Sequence, residues 1–287
     1  MGGSLRQPAS HAGAGNLKGD PMQKTFLTTA LWYVGAVLFF GFLLAPLLIL
    51  IAVSFNPTAM VFPPQGFTLK WYGTILEKPD FLTAAVASTI LGVATAVATT
   101  ALGVLAAIGL QRYTGAAKGV VSSLLMSPLF IPAVIVALAL FQIIFMMGIV
   151  NNVWTLLAAH IVVTLPYPVR NVMAQMENFD ARLEEAALSV GATPAQALRR
   201  VTLPLLKSSI IPSLIIVFVL SWNNYTVSVF LANKDWTTLP LQLRAYLQYE
   251  YEPFVAAMST ILIVASIVLL IIVDRTVGLG SVRKPSN

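Results

Sequence analysis

Cysteine is absent from this 287-residue chain. Its absence excludes a disulfide framework, a thiolate metal site and a cysteine nucleophile. Charge is scarce too. Charged residues make up 10% of the chain, against roughly a quarter of a soluble domain. There are two histidines, His11 and His160, far apart in sequence and without a surrounding metal-ligand pattern. No stretch reads G-x-x-x-x-G-K-[ST], so the chain has no phosphate-cradling loop. A membrane enzyme needs a nucleophile or a metal set, and two isolated histidines with no cysteine fit that poorly. No acidic residue stands near the middle of an apolar run; Asp274 lies at the end of one. That argues against a stand-alone carrier coupled to protons or sodium through buried carboxylates.

What remains is largely apolar. Hydrophobic residues make up 57% of the chain and its mean hydropathy is +0.83, the composition of an integral membrane protein. Six runs are long enough to span a bilayer, at about 31–53, 83–110, 120–147, 153–173, 209–232 and 255–273. Each is expected to be a helix, because hydrocarbon forces every backbone group to bond within its own segment. The first run is too long for the apolar part of a signal peptide. Residues 1–24 read as a disordered tail, 25–275 as the membrane domain and 276–287 as a second tail. Pro46 lies inside the first run, Pro128 and Pro132 inside the third, and Pro166 and Pro168 inside the fourth. Each is expected to kink its span. In the second run Ser88, Gly92, Ala96 and Thr100 recur every four residues, a stripe that lets another helix approach closely.

The charges orient the chain. An even number of spans puts both termini on one side. Thirteen of the seventeen Lys and Arg residues fall on that side, from Arg6 through Arg112, Lys118 and Arg170 to Lys284. Four fall on the other: Lys70, Lys78, Lys234 and Arg244. Basic residues concentrate in cytoplasmic loops, so both termini and the 174–208 connection are expected in the cytoplasm. The outer connections, 54–82 and 233–254, carry Phe62-Pro63-Pro64, Trp71-Tyr72, Trp236, Tyr246, Tyr249 and Tyr251. These suit interfacial anchoring or a landing surface for an external protein.

The 174–208 connection is a polar island. Asp180 is placed to cap a helix from about Ala181 to Val190, and Gly191 to end it in the left-handed conformation. Thr193, with Pro194 next and Gln196 three residues on, forms a capping box for a second helix. Pro204 disrupts that helix before the following span. Leu183, Ala187 and Val190 share a face of the first helix, flanked by Glu184 and Glu185, with Arg182 three residues before Glu185. A thin helix with a charged shoulder suits a groove on another protein; an amphipathic helix lying on lipid fits the same pattern.

Glu185-Ala186-Ala187, three residues, Gly191, nine residues, then Val201-Thr202-Leu203-Pro204 resembles the EAA loop of binding-protein-dependent ABC importer permeases. The family has isoleucine where Val201 stands. Pro128-Leu129-Phe130-Ile131-Pro132 and the Phe62-Pro63-Pro64 and Trp71-Tyr72 loop resemble the polyamine-type (spermidine/putrescine) branch, and the resemblance covers most of the chain. It implies an all-α membrane protein with the six-helix type I importer permease fold, in the bacterial inner membrane. It implies that Glu185, Ala186, Ala187, Gly191, Leu203 and Pro204 form a coupling helix and its following turn, docked on a separate ATPase subunit. ATP and Mg2+ would bind that subunit, and this chain would bind no cofactor. It further implies a second, homologous permease chain and a periplasmic binding protein as partners.

Ser221-Trp222-Asn223-Asn224-Tyr225-Thr226-Val227-Ser228 is the most polar stretch inside any expected span. Ser221, Asn224, Tyr225 and Ser228 fall on one helical face. Together with Asn223 they read either as pathway lining or as interhelical glue. His160, within the fourth span, reads as a packing residue or a pathway residue. The polyamine branch tends to carry acidic residues where Asn223 and Asn224 stand. Carboxylates suit a polycation and amides favour neither charge, so opine-like, amino-acid-derived or aminophosphonate substrates stand beside polyamines.

Overall fold

A computed structural model describes residues 21–112, 115, 117–149, 152–177, 179–180 and 182–277. Most of both expected tails, and Ala181, lie outside these residues. Among them there is no strand. The chain divides into two compact units, Met1–Leu50 and Ile51–Asn287.

Helix α1 (Pro21–Val53), all but its last three residues in the first unit, begins within the expected tail and runs through Pro46 without ending there. Its side chains from Leu31 to Leu48 are largely exposed, Trp32 and Phe42 to 80% and 83%. Such a helix fits a hydrocarbon solvent.

The second unit is built on α3 (Pro79–Arg112), which has 34 residues. At 1.5 Å per residue that is about 51 Å, longer than the ~30 Å of a hydrocarbon core requires. Three apolar clusters follow it from end to end. Phe81 packs with Trp71 of α2 (Lys70–Glu77), Leu239 and Leu243 of α13 (Leu239–Tyr246) and Phe254 of α14 (Pro253–Val277). Leu91 packs with Ala137 of α5 (Ala133–Met146), Leu156 and Ala159 of α6 (Val153–Thr164) and Val227 and Leu231 of α12 (Tyr225–Leu231). Val104, Ala107 and Ile108 pack with Val172 and Met176 of α7 (Pro166–Glu177) and with Leu206.

The small-residue stripe of α3 is buried along its length. A Cβ on Gly92 would come within 3.0 Å of the Phe218 ring, and one on Gly103 within 2.6 Å of Pro168. Helices without a water-driven hydrophobic effect between them associate through such close approach. Ser88 adds a hydroxyl that accepts the backbone N–H of Leu239 at 2.7 Å.

Four of the expected spans are single candidates: Thr29–Val53, Pro79–Arg112, Val153–Glu177 and Pro253–Ile272. The third is interrupted more sharply than a kink. Helix α4 (Lys118–Met126) leads through a 3-10 turn, Ser127–Leu129, and the chain turns by 105° before α5. Pro128 and Pro132 bracket that bend. The expected fifth span, 209–232, is not one helix. It is α11 (Lys207–Trp222) and then α12, broken at Asn223–Asn224.

Candidate functional site

The polar island is two helices joined by a glycine turn. Asp180 Oδ1 accepts the Arg182 N–H at 3.0 Å and starts α8 (Arg182–Ser189). Gly191, at φ +89°, ends it. The Ala192 N–H reaches the Ala187 carbonyl at 3.1 Å and the Gly191 N–H that of Leu188 at 3.0 Å, the paired bonds of a Schellman cap. In α9 (Pro194–Ala197) the Thr193 hydroxyl accepts from Gln196 N–H and the Gln196 side chain accepts from Thr193 N–H, at 3.3 and 2.9 Å. This is the expected capping box.

The helix then widens. Leu198–Thr202 form a π turn, α10 (Leu203–Leu205) follows, and the axis bends by 70° into α11. Pro204 supplies the physical reason. It has no N–H to donate, and its ring would clash with the carbonyl four residues back, at Arg200, in a regular α-helix. The wider turn carries the chain past that conflict, so Pro204 reshapes the helix without ending it. The bend falls at Leu206, which is fully buried against α3 and α7.

Glu184 makes the link from island to bundle. Its carboxylate accepts from the Arg112 guanidinium at the end of α3 and from the Thr202 hydroxyl in the π turn, at 3.0 Å for the latter. Arg112 also donates to Thr202 at 3.2 Å. Three segments (the end of α3, α8 and the approach to α11) meet in one closed triangle. Thr202 is fully buried and the ion-pair side chains are 23% and 16% exposed. Among the described residues, the other face of α8 is exposed. Glu185, Ala186, Gly191 and Pro204 are exposed, as are Leu183, Leu188 and Val190, the last to 86%. Ala187 and Leu203 are half-buried.

The polar stretch of the fifth span divides in two. Ser221 is buried and hydrogen-bonded to His160 Nδ1 at 2.7 Å. Ser228 is fully buried and donates to the Asn224 carbonyl at 2.8 Å. Asn224 uses its side chain to cap α12, accepting Val227 N–H at 2.9 Å. Asn223 and Tyr225 are exposed, and Asn223 Nδ2 donates to the Val219 carbonyl at 3.0 Å. The single helical face expected for Ser221, Asn224, Tyr225 and Ser228 therefore does not form. Asn224 prefers to cap, and that breaks the helix.

Residues 99–279 match the family described as the binding-protein-dependent transport system inner membrane component. The chain belongs to this family. It is therefore the permease subunit of an ABC importer, an inner-membrane component without an ATPase of its own. Among curated relatives, it is 34% identical over 232 residues to the spermidine/putrescine transport system permease protein PotC of Escherichia coli (strain K12), covering 81% of this chain and 88% of that one. It is 28% identical over 232 residues to the putrescine transport system permease protein PotI of the same strain, covering 78% and 82%. Among solved structures, a bacterial ABC transporter involved in the import of the acidic polysaccharide alginate superimposes with a TM-score of 0.69 at 18% identity, over 89% of this chain and 98% of that one. That likeness shows the type I importer permease fold. Family membership sets aside the ion-coupled carrier.

Sequence reasoning gave Arg112, Glu184 and Thr202 no joint role. The one signal available was an unusual adjacent pair of glutamates, Glu184-Glu185, at the start of a short amphipathic helix. On a helix, neighbours in sequence point about 100° apart, so one of the two is free to face inward.

Proposed function

We propose that this permease moves a polyamine inward across the bacterial inner membrane, driven by an ATPase that docks on α8. A periplasmic binding protein delivers the substrate, and a second, homologous permease chain completes the pathway. Both termini and the island face the cytoplasm. Glu185, Ala186, Ala187 and Gly191 meet the ATPase, with Leu203 and Pro204 shaping the turn behind them. ATP and Mg2+ belong to that partner.

The observation that carries the coupling reading is the Arg112–Glu184–Thr202 triangle beside an uncovered helix face. One side of α8 is free for a partner and the other is fastened to α3 and to the approach of α11. A displacement of α8 therefore reaches two membrane helices at once. ATP binding and hydrolysis would bias a two-state arrangement of those helices.

The polyamine reading is supported by the relatives' names. Exposed Asn223 and Tyr225 beside the helix break are the pathway residues on the surface, and Ser221, Asn224 and Ser228 hold that break. A second reading, an opine-like, amino-acid-derived or aminophosphonate substrate, is favoured by Asn223, whose amide selects no charge. Uptake of labelled spermidine by the complete reconstituted transporter, competed with putrescine, an opine and 2-aminoethylphosphonate, separates them. Competition by putrescine alone supports the polyamine reading, and competition by either of the others overturns it.

A further inference from the structure

We propose that His160 and Ser221 form a positioning latch that pins the last turn of α11, and thereby fixes the helix break that presents Asn223 and Tyr225. The inference rests on the reading of that break as part of the pathway.

Hydroxyls buried in a membrane helix ordinarily bond back to a carbonyl of their own helix. Thr164, Ser213, Ser228 and Thr260 each do so, onto His160, Ser209, Asn224 and Ala256, at 2.7 to 2.8 Å. Ser221 instead bonds across to His160 Nδ1 on α6 at 2.7 Å, with both residues buried. It does this at the last turn of α11, which ends one residue later at Trp222.

The same turn is held from a second side. Gly92 of α3 lies so close that an added Cβ would stand 3.0 and 3.1 Å from Phe218 ring atoms and 3.6 Å from Trp222 Cβ. Beyond this pinned turn the chain leaves the helix. Asn223 folds its amide back onto the Val219 carbonyl, and the Asn224 N–H bonds the Ser221 carbonyl at 3.1 Å. The residue gripped by His160 thus also supplies the acceptor that shapes the break. Among the described residues Ser221 is the hydrogen-bond partner of the imidazole, through Nδ1.

The test uses the complete transporter in proteoliposomes, with putrescine and spermidine as probes. The chain contains no cysteine, so Asn223→Cys gives it a single reporter thiol at the break, used for labelling only, while uptake is measured with Asn223 kept. Each of His160→Leu and Ser221→Ala should raise the KM for uptake about tenfold, the order of one lost interhelical hydrogen bond, with a smaller change in kcat. Each should also speed thiol labelling at position 223. His160→Asn carries an amide as many bonds from the backbone as Nδ1, and should stay within about twofold of wild type. The double variant His160→Leu/Ser221→Ala should match either single one, since both remove the same bond. The latch is overturned if His160→Asn is as impaired as His160→Leu, if the double variant sums the single effects, or if labelling is unchanged in His160→Leu. Should His160→Leu speed labelling while neither polyamine slows labelling of the latched protein, the latch stands and the pathway reading alone falls.

Discussion

The Glu184 carboxylate is held by the Arg112 guanidinium across 72 residues of sequence. One glutamate of an adjacent pair thus turns inward to the bundle, while Glu185 turns outward and stays exposed. Within one turn of α8, one carboxylate is fastened to the end of α3 and the other faces away from it.

That division predicts two different failures. Glu184→Ala leaves Arg112 and Thr202 without their shared acceptor, at a cost of about 1–3 kcal/mol for the abandoned groups. The variant should still co-purify with the ATPase but transport less per ATP hydrolysed. Glu185→Lys should instead weaken co-purification. Measuring ATPase recovery and the transport-to-hydrolysis ratio for both variants checks this, and identical behaviour of the two would contradict it.

Gly191 should tolerate side chains only at a backbone cost. Among the described residues nothing lies within 4 Å of an added Cβ, yet φ is +89°. Gly191→Val should therefore destabilise the turn by about 1–2 kcal/mol through conformation and not through crowding. Gly191→Asn should be milder, because asparagine visits the left-handed region more readily. Hydrogen exchange across 182–197 should rise for valine and change little for asparagine.

Much of this turn was legible in the sequence because its rules are local. Asp180, Gly191 and the Thr193–Gln196 box act over four or five residues, and each stands where the spacing predicted. The triangle was not legible, because it joins positions 72 and 90 residues apart and nothing local marks Arg112 as its donor. The break at Asn223–Asn224 failed for a different reason. The polar residues there fit a helical face equally well, and only the capping bond from Asn224 to Val227 decides for an interruption. The π turn before Pro204 likewise needs the rest of the bundle to show where the widened helix goes.

Gly103 predicts a packing failure. An added Cβ would lie 2.6 and 2.8 Å from Pro168 ring atoms and 3.2 Å from the Val169 nitrogen. A proline ring and a backbone atom have little room to yield. Gly103→Ala should cost about 1–3 kcal/mol by overpacking, while Gly109→Ala, with nothing among the described residues within 4 Å, should be neutral or mildly stabilising. Thermal denaturation in detergent compares the two.

The capping box gives a smaller effect. Thr193→Ala should destabilise the second island helix by about 1 kcal/mol and lower transport modestly without abolishing ATPase binding. Exchange protection confined to 193–202 is the measurement.

The central claim is that α8 receives the work of a separate ATPase. Its most direct test is ATP-driven polyamine uptake by the complete transporter reconstituted with wild type, Glu185→Lys or Gly191→Asp in this chain, with ATPase co-purification measured on the same samples. Both variants should lose uptake and retain less ATPase, while the permease chain itself is recovered at wild-type yield. Wild-type uptake with full ATPase recovery in both variants would contradict the account.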